Sequence, residues 1–116
     1  MSHAFLGPQF ESMRALRVME STDYPDTLMR DVEGAMQARW DADPNDTHPQ
    51  EIKHGGPSAY IDALAEDIKE NGFKKPIMVM GGTVKVVVDG HHRALAAMRL
   101  GLTHVPVKRG GLDWVE

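Results

Sequence analysis

Cysteine is missing from all 116 residues, which excludes disulfides, thiolate metal sites and cysteine nucleophiles. No apolar run approaches the ~20 residues that a membrane-spanning helix needs. The opening Met1-Ser2-His3-Ala4-Phe5-Leu6-Gly7-Pro8 holds neither the basic start nor the apolar stretch of a signal peptide. These shortfalls lead to the expectation of a cytoplasmic protein without membrane contact. Positive charge is also short. The formal net charge is −4, the wrong sign for a domain that grips duplex DNA by neutralising phosphates.

The remaining composition is that of an ordinary globular protein, with 41% hydrophobic and 26% charged residues in a length that suits one domain. Weak periodicity around Gly7 and Pro8 marks residues 1–14 as a flexible N-terminal arm, leaving 15–116 as a single domain. Charge is unevenly spread. Acids crowd the first half, whereas residues 74–109 carry Lys74, Lys75, Lys85, Arg93, Arg99, Lys108 and Arg109 against the single acid Asp89. A local basic face is therefore compatible with an acidic whole. Met78, Met80 and Met98 are expected to fill gaps in the core.

Patterning divides the domain into elements. Leu16 to Glu20 partly alternates and reads as a short strand. From Thr27 to Trp40, Leu28, Val32, Met36 and Trp40 fall at four-residue steps, which predicts an amphipathic helix. Residues 41–57, rich in Asp, Pro, Asn and Gly, read as a long loop. Ser58 to Asn71 predicts a second helix, with Ile61, Leu64, Ala65 and Ile68 on one face, Ser58 as its cap and Gly72 as its stop. Pro76–Met80 and Thr83–Val88 read as two strands joined through Gly81-Gly82. A third helix runs from about His92 to Leu100 and stops at Gly101, and Val105-Pro106-Val107 closes the pattern as a strand. The class is α+β.

The densest chemistry lies at Asp89-Gly90-His91-His92-Arg93-Ala94, where a strand stops and a helix begins. A helix N-terminus offers unpaired N–H groups and a partial positive charge, which suit a phosphate or carboxylate. An arginine beside it can donate two parallel hydrogen bonds. The same residues also fit a plain glycine turn followed by a solvated first turn. His91 and His92 point about 100° apart on a helix and make a poor chelating pair. Asp89 could join one of them in binding a metal ion only if His48 or His54 arrived by folding, and no metal ligand is assigned. Lys74 and Lys75 precede the first core strand, and Lys53 to Ser58 is a second glycine-containing approach to a helix. Neither a Ser-His-Asp set nor a paired-carboxylate arrangement can be assigned from spacing.

Taken together, residues 58–107 resemble the ParB/sulfiredoxin superfamily. The likeness is carried by Leu64 to Gly72, Pro76-Ile77-Met78-Val79, Gly90-His91-His92-Arg93-Ala94, Gly101 and Val105-Pro106-Val107, in the family's order. The resemblance implies a small α+β domain, with a short mixed sheet and about three helices. It further implies that the Gly-x-x-Arg turn holds the phosphates of a nucleoside triphosphate, CTP as in ParB proteins or ATP as in sulfiredoxins. Two departures stand out. His91 occupies the position of the sulfiredoxin catalytic cysteine, so repair of sulfinic acids is not expected. His91 and His92 replace the Glu and first Arg of the ParB Gly-Glu-Arg-Arg turn, and the ParB helix-turn-helix is not expected within these residues.

The leading expectation is thus a stand-alone ParB-like domain that binds ATP or CTP, with or without Mg²⁺. Hydrolysis of the triphosphate and a role in DNA-related metabolism are further expectations. Gly90, His91, His92, Arg93, Ala94 and Lys75 are the expected nucleotide-binding residues, and no catalytic residue is assigned. DNA or a host protein is a further partner option, and a dimer an option for assembly. Two rivals stand beside this reading. One is a nuclease in which Asp89 and a histidine hold a metal ion. The other is a phage-type interaction protein that docks on a host protein through residues 1–14, the 41–57 segment and exposed methionines.

Overall fold

Ser12 turns the chain from its first strand, β1 (Gln9–Ser12), into a short helix, α1 (Met13–Arg17), in the computed structural model, which describes residues 9–110. Its hydroxyl accepts from Ala15 N at 3.1 Å, and Met13 and Leu16, three residues apart, are both buried. Of the strand expected at Leu16–Glu20, Leu16 and Arg17 are therefore helical and Val18 and Met19 form a turn, and only Glu20 enters strand β2 (Glu20–Ser21). Residues 9–14, expected in a flexible arm, belong to the fold. β1 pairs antiparallel with β5 (His104–Arg109), Gln9 opposite Val107 and Ser12 opposite His104. An edge strand without a buried residue shows no hydrophobic pattern to read. Residues 1–8 of the expected arm lie outside the described residues.

The first long helix starts later than its periodicity suggests. Leu28 bridges Glu20, and Met29 N donates to Met19 O at 2.8 Å. A 3₁₀ turn at Met29–Asp31 then leads into α2 (Val32–Ala42), which buries Val32 and Met36. The segment expected to be a 41–57 loop is largely helical. Asp43 caps a 3₁₀ turn at Pro44–Asp46. His48 caps α3 (Pro49–His54), with Nδ1 accepting from Gln50 N at 3.1 Å, and Gly55 closes it at φ 92°. Here the Asp, Pro and Gly residues that look like a loop are helix starts and stops.

Helix α4 (Pro57–Asn71) begins at Gly56-Pro57 rather than at Ser58, buries Ile61, Ala65 and Ile68, and stops at Gly72 as expected. Strands β3 (Ile77–Met80) and β4 (Val86–Asp89) pair antiparallel, but residues 81–85 all lie in the connection, which is longer than the expected two-residue turn. Helix α5 (His91–Arg99) follows. The sheet is mixed, in the order β1-β5-β3-β4-β2, with β3·β5 and β2·β4 parallel. Among the described residues there are five α-helices, not about three, because α1 and α3 are short elements set by caps rather than by periodicity.

One core joins Ile77, Val79, Val87, Val105 and Val107 of the sheet to buried residues of α4 and α5. The buried methionines are Met13, Met19, Met29 and Met36. Of the three expected to fill the core, Met98 is partly buried against it, Met78 is half-buried and Met80 is 40% exposed. Among the described residues, no helix is long and apolar enough to cross a membrane.

Candidate functional site at the mouth of α5

Gly90 ends β4 and caps α5 at φ 88°. A Cβ there would lie 3.1 Å from Arg93 Nη2 and 3.2 Å from the Ile77 Cα. The left-handed backbone and the close passage of β3 therefore explain the glycine, where the sequence suggested room for a ligand. In the first turn, Ala94 N already donates to Gly90 O at 2.8 Å. The amides of His91, His92 and Arg93 have no hydrogen-bond acceptor among the described residues.

The two histidines part company at once. His91 is buried at 4% exposure, with Nε2 2.7 Å from Ser21 Oγ and Nδ1 3.4 Å from Asp23 Oδ2. Ser21 Oγ also accepts from Asp23 N at 3.1 Å and Tyr24 N at 3.0 Å. Both its lone pairs are thus engaged, so its proton points to His91 Nε2, and Nδ1–H is left to face Asp23. Serine, histidine and aspartate occur here in the sequence of contacts that hydrolases use. The serine oxygen, however, is buried and saturated, and it fastens β2 to α5 rather than attacking anything.

His92 turns the other way. Its Nε2 lies 2.5 Å from Oε2 of Glu51, a carboxylate on α3 that is only 2% exposed. The ring packs against Tyr60 at a centroid distance of 4.7 Å and against His48 at 5.2 Å. Burial holds His91 below the usual histidine range, opposed by Asp23, and holds His92 below it too, opposed by its bond to Glu51. Desolvation raises the Tyr60 hydroxyl above its usual value.

Arg93 runs back along the turn. Its Nη2 donates to Pro76 O at 3.3 Å and stands 3.8 Å from Asp89 Oδ2. Its Nε is buried without a partner. Arg93 also lines a hollow of about 100 Å³, together with Asp23, His48, Tyr60, Leu64, Asp89 and the run Gly90–His92. A second hollow of about 210 Å³ shares Asp23, His48 and His92 and extends to Tyr24, Arg39 and Glu51.

The structure therefore gathers Gly90, His91, His92 and Arg93 at one hollow. Ala94 is buried with its amide committed, and Lys75 is exposed and does not line the hollow. Sequence reasoning missed Ser21, Asp23, Glu51 and Tyr60. His48, which could matter only by folding, does arrive beside His92. No hydrophobic or spacing signal marks Glu51 or Ser21, because both sit in polar stretches and meet their partners through the fold. Among the described residues, no three His, Asp or Glu side chains are placed to hold a metal ion.

A mixed five-stranded sheet whose fourth strand turns through glycine into a helix with three unpaired amides in its first turn places the domain in the α+β class, with a ParB/sulfiredoxin-like architecture. No family model matches the chain, and no curated protein matches it. Among solved structures it is similar to the C-terminally truncated chromosome-partitioning protein ParB from Caulobacter crescentus complexed with CTP-gamma-S. That match has a TM-score of 0.51 and 23% identity, and covers 94% of this chain and 47% of that one. The chain thus spans about half the length of that ParB. Sulfiredoxin from Arabidopsis thaliana is similar at a TM-score of 0.45 and 24% identity, over 53% of this chain and 71% of that one.

Proposed function

We propose that this chain is a ParB-like nucleotide-binding domain that holds the phosphates of ATP or CTP at the mouth of α5. One observation carries the reading: Arg93 presents a buried Nε without a partner at the same turn where three helix amides are free. A buried guanidinium N–H costs free energy unless something accepts from it, and a phosphate oxygen would supply that acceptor. The fold agrees, since the similar ParB structure is a complex with CTP-gamma-S.

The neighbouring charge adds a condition. Asp23 and Asp89 line the same hollow as Arg93, and alone they would repel a triphosphate. Mg²⁺ is bound through one or two carboxylates together with substrate phosphates and water. Asp23 and Asp89 are the residues that would meet such an ion. Binding is therefore expected to need Mg²⁺. Lys75 plays no part in this reading.

Calorimetric titration with ATP and with CTP, each with and without Mg²⁺, tests it. The unaltered protein should release binding heat with one of them when Mg²⁺ is present. Arg93→Ala should weaken that binding by about 10-fold or more, as expected for a charge-assisted hydrogen bond. No heat with either nucleotide, or equal affinity in both proteins, would overturn the reading.

A further inference from the structure

We propose that Glu51 and His92 are a proton-accepting pair, through which the domain hydrolyses the triphosphate held at the α5 mouth. This rests on the nucleotide-binding reading and goes beyond it by assigning the chemistry to two residues.

The argument begins with the contrast between adjacent histidines. Both ring nitrogens of His91 are engaged, one by Ser21 and one by Asp23, so that imidazole is spent on holding the fold. His92 uses only one. A carboxylate offers lone pairs and no proton, so Glu51 fixes the His92 tautomer with its proton on Nε2. Nδ1 then keeps its lone pair. It has no hydrogen-bond partner among the described residues, and it is not among the buried atoms left without one. His92 lines both hollows and is the residue next to Arg93. An imidazole oriented by a buried carboxylate, with its second nitrogen unpartnered on a residue that lines two hollows, is the arrangement of a general base. His48 and Tyr60 pack against the ring and hold it in place.

In the proposed step a water oxygen forms a bond to the γ-phosphorus while one of its protons passes to His92 Nδ1. The bond from the γ-phosphorus to the β,γ-bridging oxygen breaks, and its electron pair stays on the nucleoside diphosphate. The products are that diphosphate and orthophosphate, and the imidazolium returns its proton to solvent. His92 is the catalytic residue and Glu51 the positioning residue.

The test combines calorimetry with a phosphate-release assay on ATP and CTP with Mg²⁺, for the unaltered protein, His92→Asn and Glu51→Gln. His92→Asn should retain nucleotide binding and lose turnover by about 100-fold or more. Activity of the unaltered protein should fall on the acid side as His92 is protonated. Glu51 raises the His92 pKa, so in Glu51→Gln that acid limb should move to lower pH while the plateau rate drops. A purely structural role would leave the limb in place, and that result would overturn the proposal. So would turnover in His92→Asn equal to that of the unaltered protein, or loss of binding along with turnover. Binding without turnover in the unaltered protein would sink this proposal alone, whereas absence of binding would sink the nucleotide reading with it.

Discussion

Ser21 illustrates how much one buried hydroxyl can organise. Its oxygen takes two backbone N–H groups from the turn after β2 and gives its proton to a histidine 70 residues away. Replacing it with alanine leaves His91 Nε2 and two amides without their partner. Ser21→Ala is expected to lower stability by about 1–3 kcal/mol, the cost of leaving a buried polar group unsatisfied. The urea midpoint of unfolding measures this. A midpoint unchanged from that of the unaltered protein would mean that water or a neighbour replaces the hydroxyl. The serine illustrates what a sequence hides at this scale. The Gly90-His91-His92-Arg93 turn is contiguous and could be read directly, whereas Ser21, Asp23, Glu51 and Tyr60 reach it from three other segments.

At the scale of elements, those set by repeated apolar positions were legible and those set by caps were not. The four-residue steps of α2 and α4, the apolar runs of β3 and β4, and the stops at Gly72 and Gly101 all follow from periodicity or from glycine's freedom at positive φ. Helices α1 and α3 are too short for a period. Each depends on one side chain accepting a backbone proton, Ser12 in one and His48 in the other. Contacts between helices were equally hidden. The Arg99 guanidinium on α5 reaches Glu33 of α2 and both Asp62 and Ser58 of α4, tying three helices at one exposed point. Solvated ion pairs are individually weak, so Arg99→Ala should cost about 1 kcal/mol, and less in high salt. Thermal unfolding at low and high ionic strength should show a gap between the two proteins that narrows as salt is added.

For the whole molecule, the two histidines at the α5 mouth set the response to acid. Burial holds both below the usual histidine pKa in the folded state, while the unfolded chain takes up protons at about pH 6.5. Below that value the unfolded state binds more protons than the folded one, so stability falls as pH falls, until the folded-state values are reached. Urea midpoints should be lower at about pH 5.5 than at about pH 7.5, and the difference should shrink in His92→Asn. A flat profile over that window would contradict the burial of these rings. The sheet order has its own bearing on how the chain is made. Translation produces β1 well before β5, yet β5 is the one neighbour β1 has in the sheet. Phe10, 61% exposed even after pairing, must wait until β5 emerges with its backbone groups open to other partners. That edge of the sheet therefore closes only after β5 has emerged, and until then β1 is a segment open to mispairing.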